Sequence, residues 1–412
     1  MSEVSSWRIA DGEEGARPAR SWRQLPMVEL HVHLDGAFDP LVLWEAVQAE
    51  EAGALPGEIS MAWDASERLP IRERVQRCAS AAEYHELVTC RGRQSLHQML
   101  RCFETFLPSV RGRLALIERL AEAFCARQAA SNVAYTEVRY SPHLLAEGGA
   151  MSGEGAAAID PLPVLDAVTR GLRAGCARHA IVVNQILCAI SFQPGWADSV
   201  VDLAHARRDD RPCAVVGIDI AAGEDALDAA VDARSHAAHA AAFARAARLG
   251  VPATVHAGEE GGASNVFAAV REFGARRIGH GYAAACDAAH VRELTAAGVH
   301  FEVCPTSSFC TSGWVAPPEG DGDAADWRAH PLRALIDAGA SVSISTDDPA
   351  IFDTTLEAEY ALCEVQIGVS AAQLVECVLC AARAAFTTDD ERAALCERIA
   401  AAARAQGLGA VR

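Results

Sequence analysis

The segment VELHVHLDGAF, residues 28–38, runs from an apolar stretch into a loop marked by Asp35-Gly36. On a β-strand, successive side chains alternate faces. His31 and His33 therefore point the same way, at the end where the strand gives way to the loop. Two imidazoles converging there suit a metal ion. A chain with 14 histidines could also place them so by accident. The residues that end the other strands decide between these readings.

Seven further strand-like runs follow: Val133–Tyr140, Ile181–Ile190, Ala214–Ile220, Ala253–His256, Arg277–His280, His300–Cys304 and Ser341–Thr346. Together with Val28–Leu34 they make eight, and Ala-rich helical patterns lie between most of them. One such helix, DALDAAVDARSHAAHAAAFARAARLG, is expected to close on Gly250 as a C-cap. Strands alternating with helices indicate βαβ units and a parallel sheet. Eight units favour an α/β chain folded as a (β/α)8 TIM barrel, with a helical insertion between the first and second strands over about residues 36–131. The dinucleotide fingerprint and the P-loop are both absent, which disfavours the open-sheet nucleotide folds. Residues 1–24 are polar and are expected to form a disordered tail, leaving 25–412 as a single barrel domain. Two loops rich in Gly, Pro and acidic residues, AEGGAMSGEG and APPEGDGDAAD, read as exposed connections.

The net charge of −19 argues against a nucleic-acid partner, because neutralising phosphates needs clustered cations. No run is apolar and long enough for a membrane span, and the N-terminus has no secretory h-region. The 14 cysteines, scattered through apolar segments, are then expected to be reduced in a cytoplasmic protein. Cys377 and Cys380 form a lone C-x-x-C in a helical context and read as core. His236 and His239 read as one partly exposed helix face rather than a metal pair. Leu96, Met99, Leu100 and Phe103 share a helix face, which is either a core stripe or an apolar lid over the barrel mouth.

In such a barrel, function gathers at the C-terminal ends of the strands. The first ends in His31-Val32-His33. The fifth ends TVHAGEE, giving His256 and Glu259. The sixth ends RIGHGY, giving His280, and the eighth ends STDDPA, giving Asp347 and Asp348. Three neutral imidazoles and a carboxylate suit Zn²⁺ and leave a position for water, whose pKa zinc lowers to about 7. Glu259, on a Gly-containing turn, is placed to serve as an acid or base that is not a ligand. His280 could hold the water, act as a base or steady the hydroxide. Two adjacent buried carboxylates at Asp347 and Asp348 are costly unless one is on a metal and the other hydrogen-bonded.

This series of motifs, with YTEVRYSPHLLA, QPGW, FEVCPTSS and STDDPAIFDTTL in the same order, resembles the adenosine deaminase family from about Pro26 to Ala385. The resemblance implies a barrel with one zinc that hydrolyses adenosine and 2′-deoxyadenosine to inosine and 2′-deoxyinosine, releasing ammonia, in purine salvage. It implies His31, His33, His256 and Asp347 as zinc ligands, and Glu259 as proton donor to N1 of the purine. It implies His280 as the residue orienting the attacking hydroxide and Asp348 as a hydrogen-bond partner of N7. Asp35 would bind the ribose 5′-hydroxyl, His33 would also touch substrate, and Leu96–Phe103 would be the lid. In GIDIAAGE, Ala222 stands where the family has a glycine whose N–H meets N3, and Gly223 is the alternative. Asp35 in HLDG favours a nucleoside over free adenine, and no cationic cluster offers AMP a phosphate site. The partner is thus a small purine nucleoside, with no nucleic acid and no membrane. Competing readings are a deaminase of another 6-aminopurine, a zinc deaminase built on H-x-E and C-x-x-C, and a non-catalytic nucleoside-binding protein.

Overall fold

In the computed structural model, residues 22–48, 78–90, 92–148, 159–314 and 326–408 are described. All eight expected strands form: β1 Met27–His33, β2 Val133–Tyr140, β3 Val182–Ile190, β4 Val215–Ala221, β5 Thr254–Ala257, β6 Arg277–His280, β7 His300–Val303 and β8 Ser341–Ile344. They make two four-stranded parallel sheets, β1–β4 and β5–β8, each in sequence order. Isolated parallel bridges, Ile218 with Ala253 and Val32 with Asp347, join the sheets at both seams. The result is the (β/α)8 barrel. Strands β2, β4, β5, β6 and β7 are buried along their whole length, as parallel strands covered by helices must be.

The described part of the insertion before β2 is helical, with helices at Pro40–Gln48, Ala81–Val88, Leu96–Leu100, Leu107–Val110 and Leu114–Ala130. The short helix Leu96–Leu100 starts where it does because Ser95 and Gln98 form a reciprocal capping box. A 3₁₀ turn, Arg101–Thr105, continues it and carries Phe103.

Several expectations need correction. The disordered tail does not extend to residue 24, since Trp22–Gln24 forms a 3₁₀ turn with Trp22 buried. Its indole packs 5.4 Å from Tyr360 and donates to Glu364 at 3.0 Å. Residues 1–21, and most of the two acidic loops, lie outside the described residues. Strand β1 stops at His33, because Leu34 already has helical dihedrals. The helix Ala233–Arg248 is capped at Leu249, and Gly250 follows with φ +74°. His236 and His239 on that helix are buried rather than partly exposed. His236 bonds the Ala226 carbonyl and Glu272, while His239 bonds the Ser191 carbonyl, so each anchors the helix separately.

Helices Leu114–Ala130 and Leu162–His179 flank β2 and pack closely because Gly171 brings no side chain. A methyl there would stand 2.2 Å from the Glu118 carbonyl oxygen. Gly171→Ala gains about 1 kcal/mol in helix propensity but must push two backbones apart, an overpacking cost of about 1–3 kcal/mol. The overpacking wins, so the variant is expected to unfold at lower temperature than the parent by calorimetry. An unchanged or raised Tm would contradict this packing.

Candidate active site

The C-terminal ends of β1, β5, β6 and β8 bring their polar residues to one point. His31 Nε2 stands 3.1 Å from Asp347 Oδ1, and His33 Nε2 stands 3.3 Å from the same oxygen. His33 Nε2 and His256 Nε2 are 3.1 Å apart. One ligand atom from each of His31, His256, His280 and Asp347 lies within 4.8 Å of the others. Five metal-competent side chains therefore share one space, and Cys377 and Cys380 take no part in it. His31 Nε2 and both nitrogens of His280 are buried without a hydrogen-bond partner. Buried polar atoms are normally satisfied, and orphaned imidazole nitrogens facing a carboxylate are what a divalent cation would satisfy. The residues present therefore fit such an ion.

The strand ends turn sharply to present these groups. His280 has φ +68° and Asp347 φ +64°, a left-handed conformation uncommon for side-chain-bearing residues and concentrated at functional sites. Gly36 makes room for Asp348, since a methyl on it would lie 1.7 Å from Asp348 Oδ1.

Beneath the cluster lies a layer of charges. Glu302 accepts from or pairs with His31 Nδ1 at 2.9 Å, and Asp219 stands 2.9 Å from His256 Nδ1. The Arg139 guanidinium joins the two carboxylates, at 2.7 Å from each, and also donates to the Leu30 carbonyl. Arg277 pairs with Glu302 and Glu137 on the other side. Burial opposes ionisation of Asp219, but His256 and Arg139 outweigh it and hold the carboxyl at about 2. A carboxylate on Nδ1 fixes each imidazole's tautomer and leaves Nε2 free to face the cavity.

Glu259 reaches back from the turn after β5. Its Oε2 lies 3.3 Å from His280 Nε2, and the Thr311 hydroxyl donates to its Oε1 at 2.8 Å. Burial, and then the Asp347 charge, push its carboxyl up to about 8. Burial and the same neighbour raise Asp348 well above the usual carboxylate range, and burial raises Asp35 to about 6. Burial holds the His280 imidazole well below its ordinary value. The site thus sets a neutral His280 imidazole beside Glu259, one of three carboxyl groups, with Asp348 and Asp35, disposed to keep their protons.

These groups open onto a cavity of about 820 Å³, mouth included, which Asp35, Ala222, Gly223, Glu259 and Asp348 help to line. Leu96, Met99, Leu100 and Phe103 form its apolar side, so the helical stripe serves as both core and cover. Arg139, Asp219, Ser307 and Thr311 were not singled out by sequence reasoning, and Glu302 entered it only as the acidic member of the H-x-E alternative. Charges inside the apolar runs VAYTEVRY, VVGIDIA and HFEV were the available signal, because a charge in a buried strand needs a partner.

Removing the shared cation tests this layer. Arg139→Met takes one of two arginines from buried Glu302 and leaves buried Asp219 with His256 alone, and is expected to cost about 3–5 kcal/mol. Loss of the support behind His31 and His256 should lower divalent-metal affinity about 10–100-fold. Thermal denaturation and metal titration read the two effects, and unchanged metal affinity would contradict the supporting role.

The adenosine deaminase family profile matches residues 26–402. An adenosine deaminase of Xenopus laevis is 33% identical over 374 residues, covering 89% of this chain and 92% of that protein. A zinc-bound amidohydrolase structure from Burkholderia ambifaria matches with TM-score 0.72 at 22% identity, over 98% of both chains. An adenine deaminase structure from Arthrobacter aurescens matches with TM-score 0.69 at 20% identity, over 91% of this chain and 98% of its own. At those identities the two structures speak for the fold.

Proposed function

Since this chain belongs to the adenosine deaminase family, we propose that it hydrolyses adenosine and 2′-deoxyadenosine to inosine and 2′-deoxyinosine with release of ammonia, using one zinc ion. The observation that carries this reading is a proton-holding carboxyl, Glu259, set 3.3 Å from His280 beside the imidazole–carboxylate cluster. An acid so placed can protonate a heterocycle while a nucleophile is delivered next to it.

His31, His33, His256 and Asp347 would hold the zinc. Three of their six mutual distances are 3.1–3.3 Å, near the roughly 3.3 Å edge of a tetrahedron with bonds of about 2.0–2.1 Å. His280 in place of His33 is the second reading, favoured by the 4.8 Å grouping. When bound, the ion supplies Lewis acidity that makes water a competent nucleophile near neutral pH.

The chain's own groups do the rest. Neutral His280 accepts a hydrogen bond from the attacking water and orients it toward C6. Glu259 gives its proton to N1, which draws electrons from C6 and opens it to attack. Thr311 holds the far oxygen of Glu259, so the acid presents one defined oxygen. Protonated Asp348 donates to N7, and the Ala222 amide donates to N3. Asp35 takes the ribose 5′-hydroxyl, and the Leu96–Phe103 cover limits bulk water. Among the described residues lining the cavity there is no Lys or Arg, which supports a nucleoside over a nucleotide. The 14 free cysteines fit a reducing, cytoplasmic setting, and no described helix is long and apolar enough to cross a membrane.

The direct test follows ultraviolet absorbance as the protein acts on adenosine, 2′-deoxyadenosine, adenine and AMP. Conversion of the two nucleosides alone is expected, whereas turnover of adenine without adenosine would defeat the nucleoside reading. Glu259→Gln should lower kcat about 10²–10⁴-fold with little change in KM. A chelator should abolish activity, and one equivalent of zinc per chain should restore it. Full activity in metal-free protein would remove zinc from the mechanism.

A further inference from the structure

The turn that carries Glu259 is wound around another carboxylate. Glu224 follows β4, two residues past Ala222, and is buried. Its Oε1 accepts the backbone N–H groups of Glu259 at 2.8 Å and Glu260 at 3.0 Å. Its Oε2 accepts the Gly258 N–H at 2.8 Å and the Asn265 side-chain amide at 3.1 Å. Four donors thus saturate one carboxylate, and three are consecutive amides of the Gly258–Glu260 turn. Successive N–H groups curled around an anion form a nest, which needs a left-handed residue; Gly258 supplies it at φ +76°. Gly261 closes the cradle, since a methyl there would stand 2.4 Å from Glu224 Oε2.

We infer that Glu224 is the positioning residue for the acid, fixing the Glu259 backbone and its separation from the Ala222 amide across the N1–C2–N3 edge of the base. The inference rests on the deaminase reading of Glu259 given above. Atoms N1 and N3 of a purine are held at a fixed spacing by the ring. The groups meeting them come from different βα loops, one after β4 and one after β5. Glu224 joins those loops: it belongs to the first, and its side chain is hydrogen-bonded to the second and to Asn265 in the helix that follows it. A misplaced acid loses proton transfer in the transition state before it loses ground-state binding. The carboxylate also places negative charge behind Glu259, which adds to the forces keeping that proton on.

Two variants disturb the cradle from opposite sides. Glu224→Gln turns one oxygen into a donor that faces two donors, and Gly261→Ala presses a methyl on the carboxylate. In both, kcat on adenosine should fall about 10–100-fold. KM, and the Kd of 1-deazaadenosine, which has no N1 to protonate, should stay within about threefold. Zinc content should be unchanged, and exchange of the Gly258–Glu260 amides should speed up. Wild-type kcat in both variants overturns the inference. So does a fall in kcat matched by equal losses in 1-deazaadenosine affinity and zinc content, which marks a merely structural brace. Wild-type protein that turns over no 6-aminopurine nucleoside overturns the deaminase reading itself, and this inference with it.

Discussion

The Arg139 guanidinium, between Asp219 and Glu302 in the barrel interior, is the contact on which the site depends. All three side chains are fully buried. They come from β2, β4 and β7, which are not all neighbours, so the contacts run through the middle of the barrel. Taking such charges out of water is expensive, and their attraction repays it only when nearly every donor and acceptor is matched. Here each carboxylate meets several partners, while Arg139 Nε and Arg277 Nη2 stay buried without a hydrogen bond. Glu302 serves Arg139, Arg277, His31 and Thr254, and Asp219 serves Arg139 and His256. Apolar packing could fill the same volume, but it could not fix which nitrogen of His31 and His256 faces the cavity. The interior carries chemistry's foundation where many barrels carry branched aliphatic side chains.

How far the sequence revealed this depends on distance along the chain. The eight strands were readable because each is a short apolar run between helical patterns, and two of them, β2 and β6, have the expected bounds. His31, His33, His256, His280, Asp347 and Glu259 were readable because strand ends in a barrel share one face. The supporting layer was not, since nothing local says that Arg139 lies against Glu302, 163 residues away. The buried state of His236 and His239 was missed because both were read as polar, although they share a helix face with Ala242, Phe243 and Ala246, which is turned inward. Trp22 sits in a polar N-terminal stretch, and its partners Tyr360 and Glu364 lie at the other end of the chain.

Backbone strain and the candidate site coincide here. Ala222, His280 and Asp347 all take positive φ just where a strand ends. Each such residue costs on the order of 1 kcal/mol and persists only where its surroundings over-determine it. For Asp347 the surroundings are explicit: its N–H donates to the His31 carbonyl, its carbonyl accepts the His33 N–H, and Ser307 donates to its side chain. Hydrogen bonds hold these turns, and the apolar segment Leu96–Phe103, on a short capped helix and the turn after it, lies over the cavity.

The bridge between Val32 and Asp347 has a consequence for how the chain reaches this state. It is one of two bridges between the N-terminal and C-terminal half-sheets, and the residues that make it belong to the imidazole–carboxylate cluster or adjoin it. During synthesis β1 emerges long before β8, so His31 and His33 wait for more than three-quarters of the chain before Asp347 exists. Assembly of the imidazole–carboxylate cluster and closure of the ring then depend on one contact of very high sequence separation. Neither half-barrel alone can hold the cluster, and a chain arrested before β8 displays imidazoles and an open sheet edge to its surroundings instead of a finished site.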